Sequence, residues 1–395
     1  MINLSSSNID DFSLARGGPF YRLLIRTRLM GEDLVPVTRR VVFFSLLAWL
    51  PLLVLSAIEG TVFGQAVKIP FLYNFSASVR LLLALPLLIV AEGVIDVRSM
   101  EAVRHFPRSG LVEEKSFPEF RSTVRQALRV RDSFLAEGII VAVVIFTTAF
   151  LRLESSGSSS TWEILVSPSG GTRTMAGWWH VFVSLPFFQF LTVRWLWRYL
   201  IWGWLLWRIS RLDLQLIPTH PDRAAGLGFL GQAQVKFGII VLAFSSILSS
   251  HLGGKILFGG ASLADYKVMI LGYVVLVLLV LLAPLLVFSF RLIEVKRRGL
   301  LEYGALANQY TRTFDRKWIQ GEAPEGEALI GSADIQSLAD LGNSFQIIRE
   351  MRFAPMDLWT TIVPMAAVTV VPFLPLALTV LPLDEIVMKI IGILL

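Results

Sequence analysis

Arg194 and Arg198 stand four residues apart in a stretch, 177–213, that is otherwise apolar or aromatic almost throughout. That spacing places both on one face of a helix. An arginine at bilayer depth is costly and is held by a partner. The acids at comparable depth are Glu92 and Asp96, near the end of one apolar stretch, and Glu137, at the start of another. Two chemistries fit. The charges form a structural ion-pair network tying three helices together, or they line a cytoplasmic mouth where a solute binds and passes.

The densest polar group is Pro218-Thr219-His220-Pro221-Asp222-Arg223, followed by Gly226 and Gly228. Prolines fix the backbone and glycines allow close approach. Such a loop can hold a buried ion pair or grip an anion with exposed N–H groups. It lacks the Gly-Lys-Ser/Thr that ends a phosphate-binding P-loop. Arg121, Arg125 and Arg129 also recur every four residues and form one basic stripe. The stripe is either an anchor to lipid phosphates or the lining of a cationic vestibule.

Catalytic and metal templates mostly fail. There is no cysteine, and the four histidines show no metal-ligand spacing. His180 and His251 lie near the outer ends of two apolar stretches, where a fold could bring them together as a metal or proton-sensing pair. The plainer expectation is two satisfied interfacial histidines. No metal and no cofactor is expected, and the balance leans away from an enzyme. Ser245, Ser246, Ser249, Ser250, Gly253 and Gly254 give a small, hydroxyl-rich helix surface, suited to close packing or to a polar path.

The elements that position these residues follow from composition. With 54% apolar and 17% charged residues in 395, the chain departs from the roughly 45–50% and 25% of soluble domains. A bilayer core takes about 20 apolar residues in a helix. Seven stretches meet that ruler: 41–60, 78–97, 137–153, 177–195, 237–258, 268–290 and 358–381. The expected fold is an all-α integral membrane protein. It has six spans and a seventh kinked by Pro364, Pro372 and Pro375, with an amphipathic tail at 383–395. Lys and Arg divide 27 to 7 between the two sets of connections, which predicts a cytoplasmic N-terminus and an outer C-terminus.

Four parts are expected. Residues 1–40 form a cytoplasmic segment, mobile at first and then an interfacial helix over 20–30. Residues 41–290 form a six-span core, 291–357 a cytoplasmic helical hairpin, and 358–395 the kinked span and tail. The sixth span should continue directly into the hairpin. The helix begun at Ser116 should run unbroken through 124–136 into the third span. The connection 154–176, rich in Ser and Gly, reads as a flexible exposed loop.

A bacterial inner-membrane channel or transporter for a small solute, with anions favoured, is the first expectation. It would act as a homo-oligomer in the lipid bilayer, without nucleic acid. The alternatives are a sensor or assembly subunit meeting a cytoplasmic protein through 291–357, and a membrane enzyme gripping lipid phosphate with the arginines and the His220 loop.

Overall fold

The computed structural model describes residues 12–27, 37–64, 66–154, 160–167, 170–329 and 331–379. The chain is about 75% helical. The helices are α1 (Pro19–Arg26), α2 (Val37–Ile58), α3 (Phe75–Arg108), α4 (Phe117–Arg131), α5 (Phe134–Glu154), α6 (175–210), α7 (Phe229–Gly259), α8 (Leu263–Leu286), α9 (Ser289–Phe314), α10 (Ala333–Arg349) and α11 (Leu358–Ala377). Five of them, α2, α3, α7, α8 and α11, are long and apolar enough to cross a membrane, and the bent pair α4–α5 makes up to six.

The expected fourth span, 177–195, does not join that group by composition. It lies within α6, whose tryptophans and arginines lower its hydropathy. One face of this helix is enclosed by protein, while Phe182, Leu196 and Leu200 on the other are exposed. It packs against α2, α3, α4, α5 and α8 and buries Leu191, Arg194, Trp195, Arg198 and Trp202. Trp195 is therefore in the core, its indole N–H donating to the Leu88 carbonyl at 2.8 Å.

Prolines shape the long helices in a repeated way. In Arg80–Ala84, His180–Ser184 and Leu358–Ile362 the turn widens to a π-helix, each just ahead of an Xaa-Pro pair: Leu85-Pro86, Leu185-Pro186 and Val363-Pro364. A proline ring would strike the carbonyl four residues back. The wider turn avoids this, and the residue before the proline bonds five residues back, to Arg80, His180 and Leu358.

Two other prolines leave carbonyls without a helical donor, and α6 supplies one from the side. Pro51 orphans Leu47, which accepts from the Trp179 indole at 3.3 Å. Pro284 orphans Val280, which accepts from the Tyr199 hydroxyl at 2.7 Å. Such lateral repair is what makes proline tolerable away from water. Tyr199→Phe is expected to lose about 1–2 kcal/mol of stability, as for a carbonyl left without its partner. The loss should shrink to less than half in a Pro284→Ala background, where the helix regains its own N–H. Unfolding of the four proteins in mixed micelles checks this, and an equal loss in both backgrounds contradicts it.

Several sequence expectations are corrected. Residues 12–15, read as mobile, are buried, with Phe12 and Leu14 each 1% exposed. The interfacial helix is the shorter α1. The helix from 117 does not run on into the third span. It stops at Arg131, and α5 starts at Phe134 after a 40° bend. Arg131 pairs with Asp132 at 2.7 Å, and Ser133 accepts the Ala136 and Glu137 N–H groups. Asp-Ser is a stop and a fresh N-cap in succession.

The connection 154–176 holds a β-hairpin, Ile164–Ser167 against Gly170–Arg173, preceded by the fully buried Trp162. The sixth span breaks at 287–288 before α9. Beyond the break, α9 and α10 pack against each other. The 383–395 tail lies outside the described residues.

Candidate functional site

Charged residues gather inside the bundle in two places, about 20 Å apart along α3 and α6 at 1.5 Å per residue. The first lies at the end where the N-terminal segment enters. Glu92 of α3 receives Arg40 from α2 on one oxygen at 2.6 Å, and Arg194 and Arg198 from α6 on the other at 2.9 and 3.1 Å. All four side chains are buried.

One carboxylate cannot balance three guanidinium groups in a dry interior. The rest of the compensation comes from residues 12–20, a strap that threads through this layer as irregular backbone up to Gly18 and enters α1 at Pro19. Arg198 donates to the Ala15 carbonyl and Arg131 to that of Ser13. Arg194 donates to the Gly17 carbonyl at 3.4 Å and lies 5.0 Å from the Phe20 ring centre. Glu137, 3.9 Å from Arg194, accepts the Phe20 N–H at 2.8 Å. Asp96 takes the Ser13 hydroxyl at 2.6 Å and the Ala15 N–H at 2.9 Å, and pairs with Arg16 at 3.4 Å.

The sequence-predicted set Arg194, Arg198, Glu92 and Glu137 is thus brought together, and Glu92 is the principal partner. Asp96 serves the strap. Arg40 escaped the sequence reading because it sits beside Arg39 at a span entrance, where two arginines look like anchors. Successive helical residues point about 100° apart, so only one of the pair can face headgroups. Arg39 is exposed and Arg40 is 2% exposed.

The second group lines a cavity of about 480 Å³ between α3, α5, α6 and α7. Arg80, Glu163, Arg173, His180 and Gln189 supply its polar wall. Thr174 caps α6 through the Gly177 N–H, and Glu59 accepts the Met175 and Ala176 N–H groups. The β-hairpin is drawn so close that a Cβ on Gly177 would lie 2.4 Å from the Glu163 carbonyl oxygen. That contact sets Glu163 beside His180, Nδ1 to Oε2 3.3 Å, and Arg173 3.9 Å away. Burial pushes the Glu163 carboxyl up, but His180, Arg173 and Arg80 outweigh it and hold it below its usual range. None of Arg80, Glu163 and Arg173 was singled out from sequence. They come from two distant segments, the start of α3 and the two sides of the β-hairpin, and no spacing within either one links them.

The His220 loop is a self-contained knot. Asp222 accepts N–H groups from Ala224, Gly226 and Gly228 at 2.8, 3.1 and 2.8 Å, and His220 Nδ1 lies 2.8 Å from it. Burial pushes the Asp222 carboxyl up, and these donors more than reverse it, leaving it below the ordinary range. The N–H groups expected to grip an external anion are thus occupied by the loop's own carboxylate. Arg223 and Ala225 adopt φ of 55° and 54°, uncommon for residues with a side chain.

The loop is the joint to the α9–α10 hairpin. Arg223 pairs with Glu350 at 3.0 Å, its carbonyl accepts the Arg352 N–H at 2.8 Å, and a Cβ on Gly299 would lie 2.8 Å from Pro218. At the hairpin's far end Asp334 joins Lys317 and the Trp318 indole at 2.8 and 3.0 Å.

The remaining candidates separate. Arg125 and Arg129 are exposed on α4, and Arg121 lies 5.2 Å from the Phe117 ring centre. His180 is buried at Glu163, whereas His251 is exposed. Among the described residues no group of three or more His, Asp or Glu could hold a metal ion. The small face of α7 packs: Ser245 bonds Tyr273 at 3.0 Å, and Gly238 and Gly253 meet Val368 and Leu376 of α11. In comparisons with protein-family models, curated proteins and solved structures, no match to this chain was found.

Proposed function

We propose that this protein moves a small anionic solute across a membrane. The observation that carries the reading is the contrast between the two charged regions. Around Glu92 the charges are paired with one another and covered by the strap, whereas around His180 they line a cavity large enough for a small ligand. A ligand-sized cavity in one charged layer and a closed ion-pair layer in the other fit a transporter between substrate-loading states better than a continuously open pore.

Counting α6, which buries one face and leaves an apolar one exposed, beside the five apolar helices and the bent pair gives seven crossings. The 27-to-7 division of basic residues then sets the strap, the His220 loop and the α9–α10 hairpin in the cytoplasm, and the cavity on the outer side. Such a carrier belongs in a bacterial inner membrane. The weakly buried α8 offers a face to lipid or to a second copy.

Purified protein in liposomes is expected to take up an anion from a panel of chloride, phosphate, acetate and hexanoate down an imposed gradient. Arg173→Gln should lower that uptake at least tenfold. Liposomes as tight to the whole panel as protein-free ones would overturn the reading.

A second reading rests on the α9–α10 hairpin, which stands largely exposed on the His220 joint. There it would carry the state of the spans to a cytoplasmic protein. Deleting 321–352 should then abolish that partner's response while uptake persists.

A further inference from the structure

The cavity beside His180 has more definition than a generic anion site. His180 is 5% exposed, and neither ring nitrogen has a hydrogen-bond partner among the described residues. The Glu163 carboxylate is near enough to attract it, yet too poorly aligned to accept from it. Leaving a buried imidazole unbonded is unfavourable unless something else fills the role.

Arg80 is in a similar position. No carboxylate among the described residues lies within 4 Å of it, and its guanidinium stands 5.9 Å from the Phe188 ring centre. Gln189 Oε1 accepts from the Thr148 hydroxyl at 3.0 Å, so the donors of its amide nitrogen remain available to the cavity it lines. Arg80 therefore has no carboxylate of its own within reach among the described residues, and its donors, the His180 ring and the Gln189 amide line the same space. Guanidinium groups and paired donors match the two oxygens of a carboxylate.

The other wall is different in kind. Phe188, Phe244 and Ile247 also line the cavity and have no side-chain polar atom to offer. An inorganic anion seated there would lose hydration on that side without replacement. A ligand with an apolar body would lose nothing and would gain from burial, about 0.8 kcal/mol per methylene as a general rule.

We propose that this cavity binds a small organic monocarboxylate, its head among Arg80, Arg173, His180 and Gln189 and its alkyl or aryl body against Phe188, Phe244 and Ile247. This rests on the transport reading for its biological role, but binding can be measured apart from flux.

The experiment uses the full chain in nanodiscs. Trp162, whose ring centre lies 5.4 Å from that of His180, serves as the fluorescent reporter. Acetate, butyrate, hexanoate, hexanamide, hexylamine and chloride are titrated in turn. Affinity is expected to rise at least tenfold from acetate to hexanoate, with hexanamide, hexylamine and chloride much weaker. Arg80→Gln and His180→Gln should each weaken hexanoate at least tenfold. Ile247→Ala should flatten the chain-length dependence while sparing acetate, and Arg125→Gln should change nothing. Size-exclusion profiles confirm that each variant folds, and Ile247→Ala, which removes no charge, keeps the test alive if an arginine variant fails to fold.

Equal affinity for acetate, hexanoate and chloride would make this an inorganic-anion site and overturn the proposal. So would hexanoate binding unaffected by both Arg80→Gln and His180→Gln. Hexanoate binding with liposomes that stay tight would sink the transport reading and leave the site. Chloride flux without hexanoate binding would do the reverse.

Discussion

Glu92→Gln is expected to cost the protein about 3–5 kcal/mol of unfolding free energy, the range for removing one member of a buried ion pair. The cause is specific. Arg40, Arg194 and Arg198 all direct an Nη atom at this one carboxylate, and each of the three is at most 4% exposed. Once the carboxylate is neutral, three cations face one another with only Glu137, 3.9 Å from Arg194, and the strap carbonyls to offset them. The loss should be smaller in the double variant Glu92→Gln/Arg198→Gln than in Glu92→Gln alone, because removing a cation relieves the imbalance. Unfolding curves in mixed micelles for the two singles and the double test this. A double variant that loses the sum of both single effects would mean that the residues act independently, and the network account would fail.

How much of this could be read beforehand depends on whether the signal lay within one element. Arg194 and Arg198 announced themselves by spacing, and their partner could be sought among the few acids at matching depth. Glu92 followed. The Pro218–Gly228 loop stood out for the same local reason, although its Asp222 turned inward to its own N–H groups.

The strap was not legible. Its bonds reach Asp96 from Ser13 and Arg198 from Ala15, across 83 and 183 residues, and an irregular segment held by its backbone leaves no hydrophobic period. The cavity was hidden likewise, since Arg80, Glu163 and Arg173 meet only because a β-hairpin lies down on the start of α6. The bend at Asp132 was readable in principle from Asp-Ser, but an apolar pattern on both sides argued for continuity.

The strap also yields the prediction that separates sealing from stability. Gly17 and Gly18 have φ of 141° and 88°, and an added Cβ would fall 2.2 Å from an Asp132 oxygen and 2.4 Å from a Glu137 oxygen. Alanine at either position meets both backbone strain of about 1–3 kcal/mol and a carboxylate that holds the bundle. The added carbons stand between the strap and the carboxylates it packs on, so the paired variant Gly17→Ala/Gly18→Ala should unseat it. Trypsin cleavage at Arg16 and Arg22 is expected to quicken at least tenfold. Under the transport reading, anion leak through reconstituted liposomes should rise as well, because the carbonyls that cover Arg194 and Arg198 are withdrawn. Gly321→Ala and Gly326→Ala carry the same φ penalty, at 82° and 87°, with nothing within 4 Å of the added carbon. They should change neither readout. Glu92→Gln, by contrast, should lower stability and yield no excess leak from the protein that survives. Strap cleavage unchanged in the paired variant, with stability lost as in Glu92→Gln, would make residues 12–20 a fixed part of the core and not a removable seal.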